Sequence, residues 1–225
     1  MQSVFLLNRR ITITFFFVFF ITTAFSQQRF SIATDISIQR NFQKEQQYWA
    51  LGHTIQTLFH LTPKQGIYAW FAYYSNGKFK NKVTATAKTP IVNSEINYIN
   101  AARMRLKQIS VGWRRYLKGT PDAESGWNLY GNAGLGLLLG GVLNTHSVSI
   151  DTAFYTVPVL NGHANFKRLT LDLGMGLETP LGGDFYLYAD GRVWIPITDY
   201  PSRYIFVNNN APLVGMLGVG IRILF

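Results

Sequence analysis

Few side chains in this sequence could carry out chemistry. There are four histidines, His53, His60, His146 and His163, and eleven acidic residues, but no cysteine. Without thiols there is no disulfide framework, no zinc–thiolate site and no sulfur nucleophile. His53 stands out because it falls among Trp49, Leu51, Ile55 and Phe59, on the apolar parity of a strand-like stretch. A polar ring on an otherwise apolar parity is costly, so such a residue invites a functional reading. Acyl-transfer chemistry needs a hydroxyl beside the imidazole and a carboxylate to orient it. Only Thr54 and Thr57 are close in sequence, and they lie on different parities. His60 closes the same stretch, while His146 and His163 fall in a long connection. No phosphate-cradling loop, HExxH or GxSxG motif, or regular repeat is present. No catalytic site, metal or cofactor is expected.

The elements that must position these groups are strands. Apolar and polar residues alternate with period two along most of the chain, the mark of a strand with two unlike faces. From about Phe30 to Gln39, Phe30, Ile32, Thr34, Ile36 and Ile38 alternate with Ser31, Ala33, Asp35, Ser37 and Gln39. Similar stretches run from about Tyr48 to Leu61, Ile67 to Ser75, Met104 to Leu117, Trp127 to Leu139, Arg168 to Glu178 and Phe185 to Ile195. The stretch from Ile67 carries Tyr68, Trp70, Phe71, Tyr73 and Tyr74 on both parities, so its faces cannot be assigned. Its composition suits an interfacial aromatic girdle. Elsewhere the polar parity carries Asp35, Asp172, Glu178 and Asp190 beside Arg114, Arg168, Arg192 and Arg222. Acids and bases balance, and buried charges must be paired to be tolerated. A self-neutralised interior network is expected, not a selective pore, which would favour one sign.

The last stretch, Val214 to Phe225, alternates most strictly. Leu217, Val219, Ile221, Ile223 and Phe225 share one face with Gly215, and Met216, Gly218, Gly220 and Arg222 lie on the other. A closing strand with these residues and a terminal Phe resembles those of the outer-membrane β-barrel proteins of Gram-negative bacteria. That resemblance implies that Leu217, Val219, Ile221, Ile223 and Phe225 act as the signal read by the barrel-assembly machinery. The connections agree. Those after the second, fourth and sixth strands are short (Thr62–Gly66, Lys118–Gly126, Pro180–Asp184), and those after the third, fifth and seventh are long. Outer-membrane barrels have short periplasmic turns and longer extracellular loops. The expected fold is therefore all-β: a single antiparallel, up-and-down transmembrane barrel of about eight strands, similar to the OmpA/OmpX type.

The start of the chain reads as an export signal. Arg9 and Arg10 precede an apolar, Phe-rich run from Ile11 to Ile21, and Ala24 and Ser26 supply the small residues of a cleavage site. Residues 1–26 are expected to be a signal peptide resembling those of the Bacteroidetes, and 27–225 the barrel domain. The formal net charge is +10 and falls by two on cleavage. The bases form no nucleic-acid motif, and an exported chain rarely meets nucleic acid, so acidic lipopolysaccharide headgroups or surface polysaccharide are the better partners. Lys78, Lys80, Lys82 and Lys88 follow the third strand, and Arg103, Arg105 and Lys107 open the fourth, opposed only by Glu95. The alternation at 78, 80 and 82 predicts that these strands continue beyond the membrane as a hairpin with lysines on one face, placed to meet lipopolysaccharide phosphates. The connection from Gly140 to Phe166 contains Val148, Ile150, Phe154, Tyr155, Val157 and Val159, and either covers the barrel mouth or presents a surface.

The function expected is structural or surface-binding: a monomeric outer-membrane barrel that holds itself shut and displays its loops. Two rivals remain open. Some barrels that resemble this one modify lipid A with a His, a Ser and a carboxylate near the rim. A soluble lipocalin-like binder would instead turn the apolar parity inward around a ligand.

Overall fold

The structure, a computed structural model, describes residues 29–90, 94–209 and 211–225. The proposed signal peptide lies outside the described residues. Strands β1 (Arg29–Asn41), β2 (Tyr48–Thr62), β3 (Gln65–Ala87), β4 (Glu95–Lys118), β5 (Asn128–His146), β6 (Tyr155–Thr156), β7 (Gly162–Gly182), β8 (Phe185–Pro196) and β9 (Val214–Leu224) follow in order. A single turn of 3₁₀ helix, Lys44–Gln46, links β1 to β2. All strands except β6 close one antiparallel ring in the order β2-β1-β9-β8-β7-β5-β4-β3, with β3 returning to β2. Phe225 completes the seam, since its N–H donates to the Phe30 carbonyl at 2.7 Å.

Closure in this sense turns the apolar parity outward. Ile36 is 75% exposed and Leu51 69%, and Leu217, Val219 and Phe225 are similarly bare. An apolar face left open around a whole ring is stable only against lipid. The lipocalin-like arrangement is thereby excluded, because its apolar residues would be inside. No described helix is long and apolar enough to cross a membrane; the strands do the spanning.

Three features go beyond or against the expectation. First, the predicted β3–β4 hairpin forms and runs far beyond the belt, paired up to Thr86 opposite Glu95, so that most of the polar segment between the two strands is itself strand. Second, β5 and β7 extend into the next long connection, which shrinks to residues 147–161. Its β6 segment crosses to pair with the tip of β3, at Thr86 and Ala87. Val159 is buried, while Val148 and Phe154 stay exposed. Third, the ambiguous aromatic stretch puts Tyr68, Trp70 and Tyr74 inside the barrel and only Phe71 and Tyr73 outside. Outward aromatics elsewhere, including Trp49, Trp113 and Phe185 on other strands and Trp127 just before β5, mark the edges of the belt instead. A strand aromatic on both parities gives no alternation from which its faces could be read.

The interior admits large aromatics because inward glycines leave room for them. Gly112 on β4 and Gly134 on β5 stand opposite each other beneath the Tyr68 ring. A Cβ on Gly112 would come within 2.6 Å of both the Gly134 Cα and the Tyr68 hydroxyl. The glycine parity of the strands and the tyrosines of their neighbours are thus two halves of one packing arrangement.

Candidate functional site

All eight charged residues expected inside point into the barrel. Asp35, Arg114, Arg168, Asp172, Glu178, Asp190, Arg192 and Arg222 are each buried. Their pairing is not the uniform acid–base matching expected. Among the described residues, two ion pairs are buried on both sides: Arg222 with Glu178 at 2.8 Å and Arg192 with Asp190 at 2.9 Å. Arg114 binds neutral oxygens, Asn132 Oδ1 at 2.9 Å and Gln56 Oε1 at 3.1 Å. The Gln56 oxygen also accepts from Arg192, at 3.0 Å, and so bridges two guanidinium groups. Aromatic faces take up the rest. Arg114 lies 3.8 Å from the Tyr130 ring centroid, Arg222 4.0 Å from Tyr186 and Arg192 4.5 Å from Trp70. Arginine tolerates this because its planar, weakly hydrated charge stacks on aromatic rings.

The two remaining acids sit among hydroxyls and amides. Asp35 accepts from Thr54 at 2.5 Å and Tyr188 at 2.9 Å. Asp172 is held by Ser110, by Thr170 at 3.1 Å and by Gln108 at 3.2 Å. Sequence parity shows which residues face inward; it does not show which of them meet across the lumen.

Toward the extracellular end the interior is apolar, another departure from a polar core. Tyr48, Trp70, Tyr74, Met104, Leu106, Leu138, Phe166, Trp194 and Met216 form one buried cluster, which Ile205 of the β8–β9 connection joins from above. Three polar side chains hold that connection down. Arg168 donates to the Thr198 carbonyl at 2.9 Å and the Tyr200 carbonyl at 3.3 Å, with the exposed Asp199 carboxylate 4.0 Å away. Asn144 donates to the carbonyls of Leu160 and Tyr204 at 3.1 and 2.8 Å. Gln46, with its amide oxygen turned toward them, accepts from the Phe206 and Val207 N–H groups at 3.1 and 2.9 Å. At the opposite end the Pro121 carbonyl accepts from Arg222 at 2.7 Å and draws the β4–β5 turn across the opening.

The histidines do not form a reaction centre. His53 faces outward, edge-on to Tyr73 at 6.0 Å, while Thr54 points inward to Asp35. His60 does meet a serine, since its Nε2 shares a 2.7 Å hydrogen bond with Ser31 Oγ, a pair that sequence spacing did not reveal. Ser31 is fully buried and also accepts from Arg222 at 2.9 Å, and among the described residues no carboxylate hydrogen-bonds the His60 ring. At the outer end His146 lies 4.6 Å from the Tyr98 ring, and partial burial lowers its pKa against the pull of the Val159 backbone. Among the described residues no group of three His, Asp or Glu could hold a metal ion.

The cations singled out in the sequence lie outside the barrel on its extracellular half. Lys78, Lys80 and Lys82 share the outer face of the β3–β4 hairpin, and Arg105 and Lys107 are exposed below them. Arg103 is half-buried and donates to the Ser75 carbonyl at 3.3 Å. Where the chain turns from apolar to basic, a groove of about 490 Å³ crosses β4, β5 and β7 between Arg103, Arg105 and Lys107 on one side and Lys167 on the other. Lys167 completes this arrangement; in the sequence it is separated from the other cations by the whole of β5.

A closed ring with a lipid-facing exterior, a filled lumen and long strands at one end is the architecture of a small transmembrane β-barrel. No protein-family model and no curated protein matches the chain. Among solved structures it is similar to neisserial surface protein A, with a TM-score of 0.53 and 12% identity over 89% of this chain and 98% of the other. It is also similar to the outer membrane protein OprG of Pseudomonas aeruginosa, with a TM-score of 0.50 and 11% identity over 88% of this chain and 95% of the other. The fold is that of the small outer-membrane β-barrels.

Proposed function

We propose that the protein is a closed outer-membrane barrel with a surface-binding role, neither enzyme nor pore, and that its basic extracellular flank engages the phosphates of lipopolysaccharide. The observation that carries this reading is the division of charge. Inside, every arginine is engaged by a carboxylate, amide, carbonyl or aromatic face. Outside, Lys78, Lys80, Lys82, Arg103, Arg105 and Lys107 gather on one flank, and none of them is within 4.0 Å of a carboxylate among the described residues. Clustered like charges repel unless an anion relieves them, and the outer leaflet of an outer membrane supplies that anion. The absence of a catalytic role rests on the isolation of His53 and the buried, acid-less Ser31–His60 pair.

The experiment has two parts. Reconstituted in planar bilayers, the full-length protein should give no stepwise conductance. Titrated with lipopolysaccharide, it should bind with an affinity that falls as salt rises, since exposed charges are screened within about 10 Å at 0.1 M. Regular single-channel steps would defeat the closed-barrel reading, and binding indifferent to salt would defeat the electrostatic one.

A further inference from the structure

The groove at the edge of the apolar belt has more organisation than a basic patch. Cross-strand register places three rows over it. Lys107 stands opposite Leu139 and Leu139 opposite Lys167; Arg105 opposite Gly141 and Gly141 opposite Asn165; Arg103 opposite Leu143 and Leu143 opposite His163. Strands β4 and β7 therefore supply cations and polar groups as two walls, and β5 supplies the floor. Neighbouring strands are about 4.8 Å apart, so the walls stand roughly 10 Å from each other, enough for one tetrahedral anion between them. The floor is lowest at Gly141. A side chain there would project between the walls, with its Cβ 3.2 Å from Asn165 Oδ1 and 3.6 Å from His163 Nε2. The neighbouring Gly140 faces inward beneath the Phe166 ring, so the two glycines serve opposite sides of the wall.

Two residues further down each strand the outward positions are Ile109, Leu137 and Leu169, all exposed. The lower rim of the groove is thus continuous with the lipid-facing surface. An occupant that places an anion over Gly141 and runs apolar chains down past Ile109 and Leu137 is amphipathic. A soluble anion would leave that continuity unused.

We propose that the Gly141-floored groove is a binding site for a phosphoryl group of a glycolipid in the outer leaflet, gripped by Arg105 and Lys107 from β4 and by Lys167 from β7, with the acyl chains lying on the belt below. This rests on the outer-membrane reading above and assigns the recognition to one groove on one flank. Lys167 and Gly141 are specific to it, whereas Lys78, Lys80 and Lys82 belong only to the general basic face.

The test uses the full-length protein in phosphatidylcholine bilayer discs, titrated with diphosphoryl lipid A, and four proteins: wild type, Gly141→Leu, the pair Lys107→Gln with Lys167→Gln, and the triple Lys78→Gln, Lys80→Gln, Lys82→Gln. Gly141→Leu keeps every charge and fills the floor; the paired glutamine variant keeps the shape and removes the grip. Each should weaken binding about tenfold or more, the scale of one lost charge-assisted contact. The triple variant should weaken it less. Phosphatidylglycerol should bind more weakly than lipid A, and inorganic phosphate should compete only at far higher concentration. The groove is rejected, and the general reading kept, if the triple variant loses as much as the groove variants or if Gly141→Leu binds like wild type. Free phosphate competing as well as lipid A would reject the lipid assignment. No binding of lipid A by the wild type would reject the groove and the glycolipid reading together.

Discussion

At the scale of single residues, the interior shows two ways of burying a guanidinium group. Arg222 is tied to Glu178 by two hydrogen bonds, at 2.8 and 3.0 Å. Removing it as Arg222→Met leaves a buried carboxylate without its charge, a change that costs about 3–5 kcal/mol. Arg114 is held by amide oxygens and the Tyr130 face, so Arg114→Met strands only neutral acceptors, at about 1–3 kcal/mol. Urea unfolding in lipid vesicles should therefore rank Arg222→Met as the more destabilised, and Arg222→Met combined with Glu178→Leu should recover much of the loss. Equal costs for the two single variants would mean that the carboxylate pairing adds nothing beyond stacking and neutral hydrogen bonds. The sequence placed all eight charges on the inward parity, because parity along a strand is a local property. It could not say that Asp35 and Asp172 would be met by hydroxyls and amides, since those partners come from other strands.

At the scale of elements, the connections carry what distinguishes this barrel. The β8–β9 connection is fixed by Arg168 and Asn144 through carbonyls of residues 198, 200 and 204, and Asn144 also holds the Leu160 carbonyl just before β7. Replacing both with alanine leaves the Gln46 hydrogen bonds to residues 206 and 207 and the apolar contact of Ile205 as the remaining ties. Trypsin added outside proteoliposomes should then cut at the exposed Arg203 several-fold faster than in the wild type, because local opening governs such cleavage. An unchanged rate would show that Gln46 and the apolar contact of Ile205 suffice to keep the connection in place. The β3–β4 hairpin was legible from the spacing of Lys78, Lys80 and Lys82, since lysines two apart on one face imply a strand. The pairing of β6 with β3 was not: two residues carry too little pattern to announce a strand.

At the scale of the whole molecule, the ring has no free edge within the belt, and buried side chains occupy its interior. Closed barrels keep their hydrogen bonding in detergent until heated. Unboiled protein should therefore migrate differently from boiled protein on a denaturing gel, and membrane fractionation should recover it with the outer membrane. A single heat-independent band from the soluble fraction would contradict the lipid-facing exterior. Leu217, Val219, Ile221 and Ile223 lie on the outer face of the seam strand β9, and the exposed Phe225 follows it; we propose that together they serve as an assembly signal. Exchanging Phe225 for a polar residue would test that role through assembly yield.

The sequence by itself determined the class of fold, the eight strands of the ring, the parity of nearly every one of them and the alternation of short and long connections. Those features are written in period-two patterning and turn composition, which act over a few residues. Only the tertiary structure decided the faces of the aromatic strand, the partners of the buried charges, the plug over the mouth and the joining of Lys167 to Arg105 and Lys107 around Gly141. Each of these depends on which strands become neighbours and in what register, and closure of the ring fixes that between residues far apart in the chain.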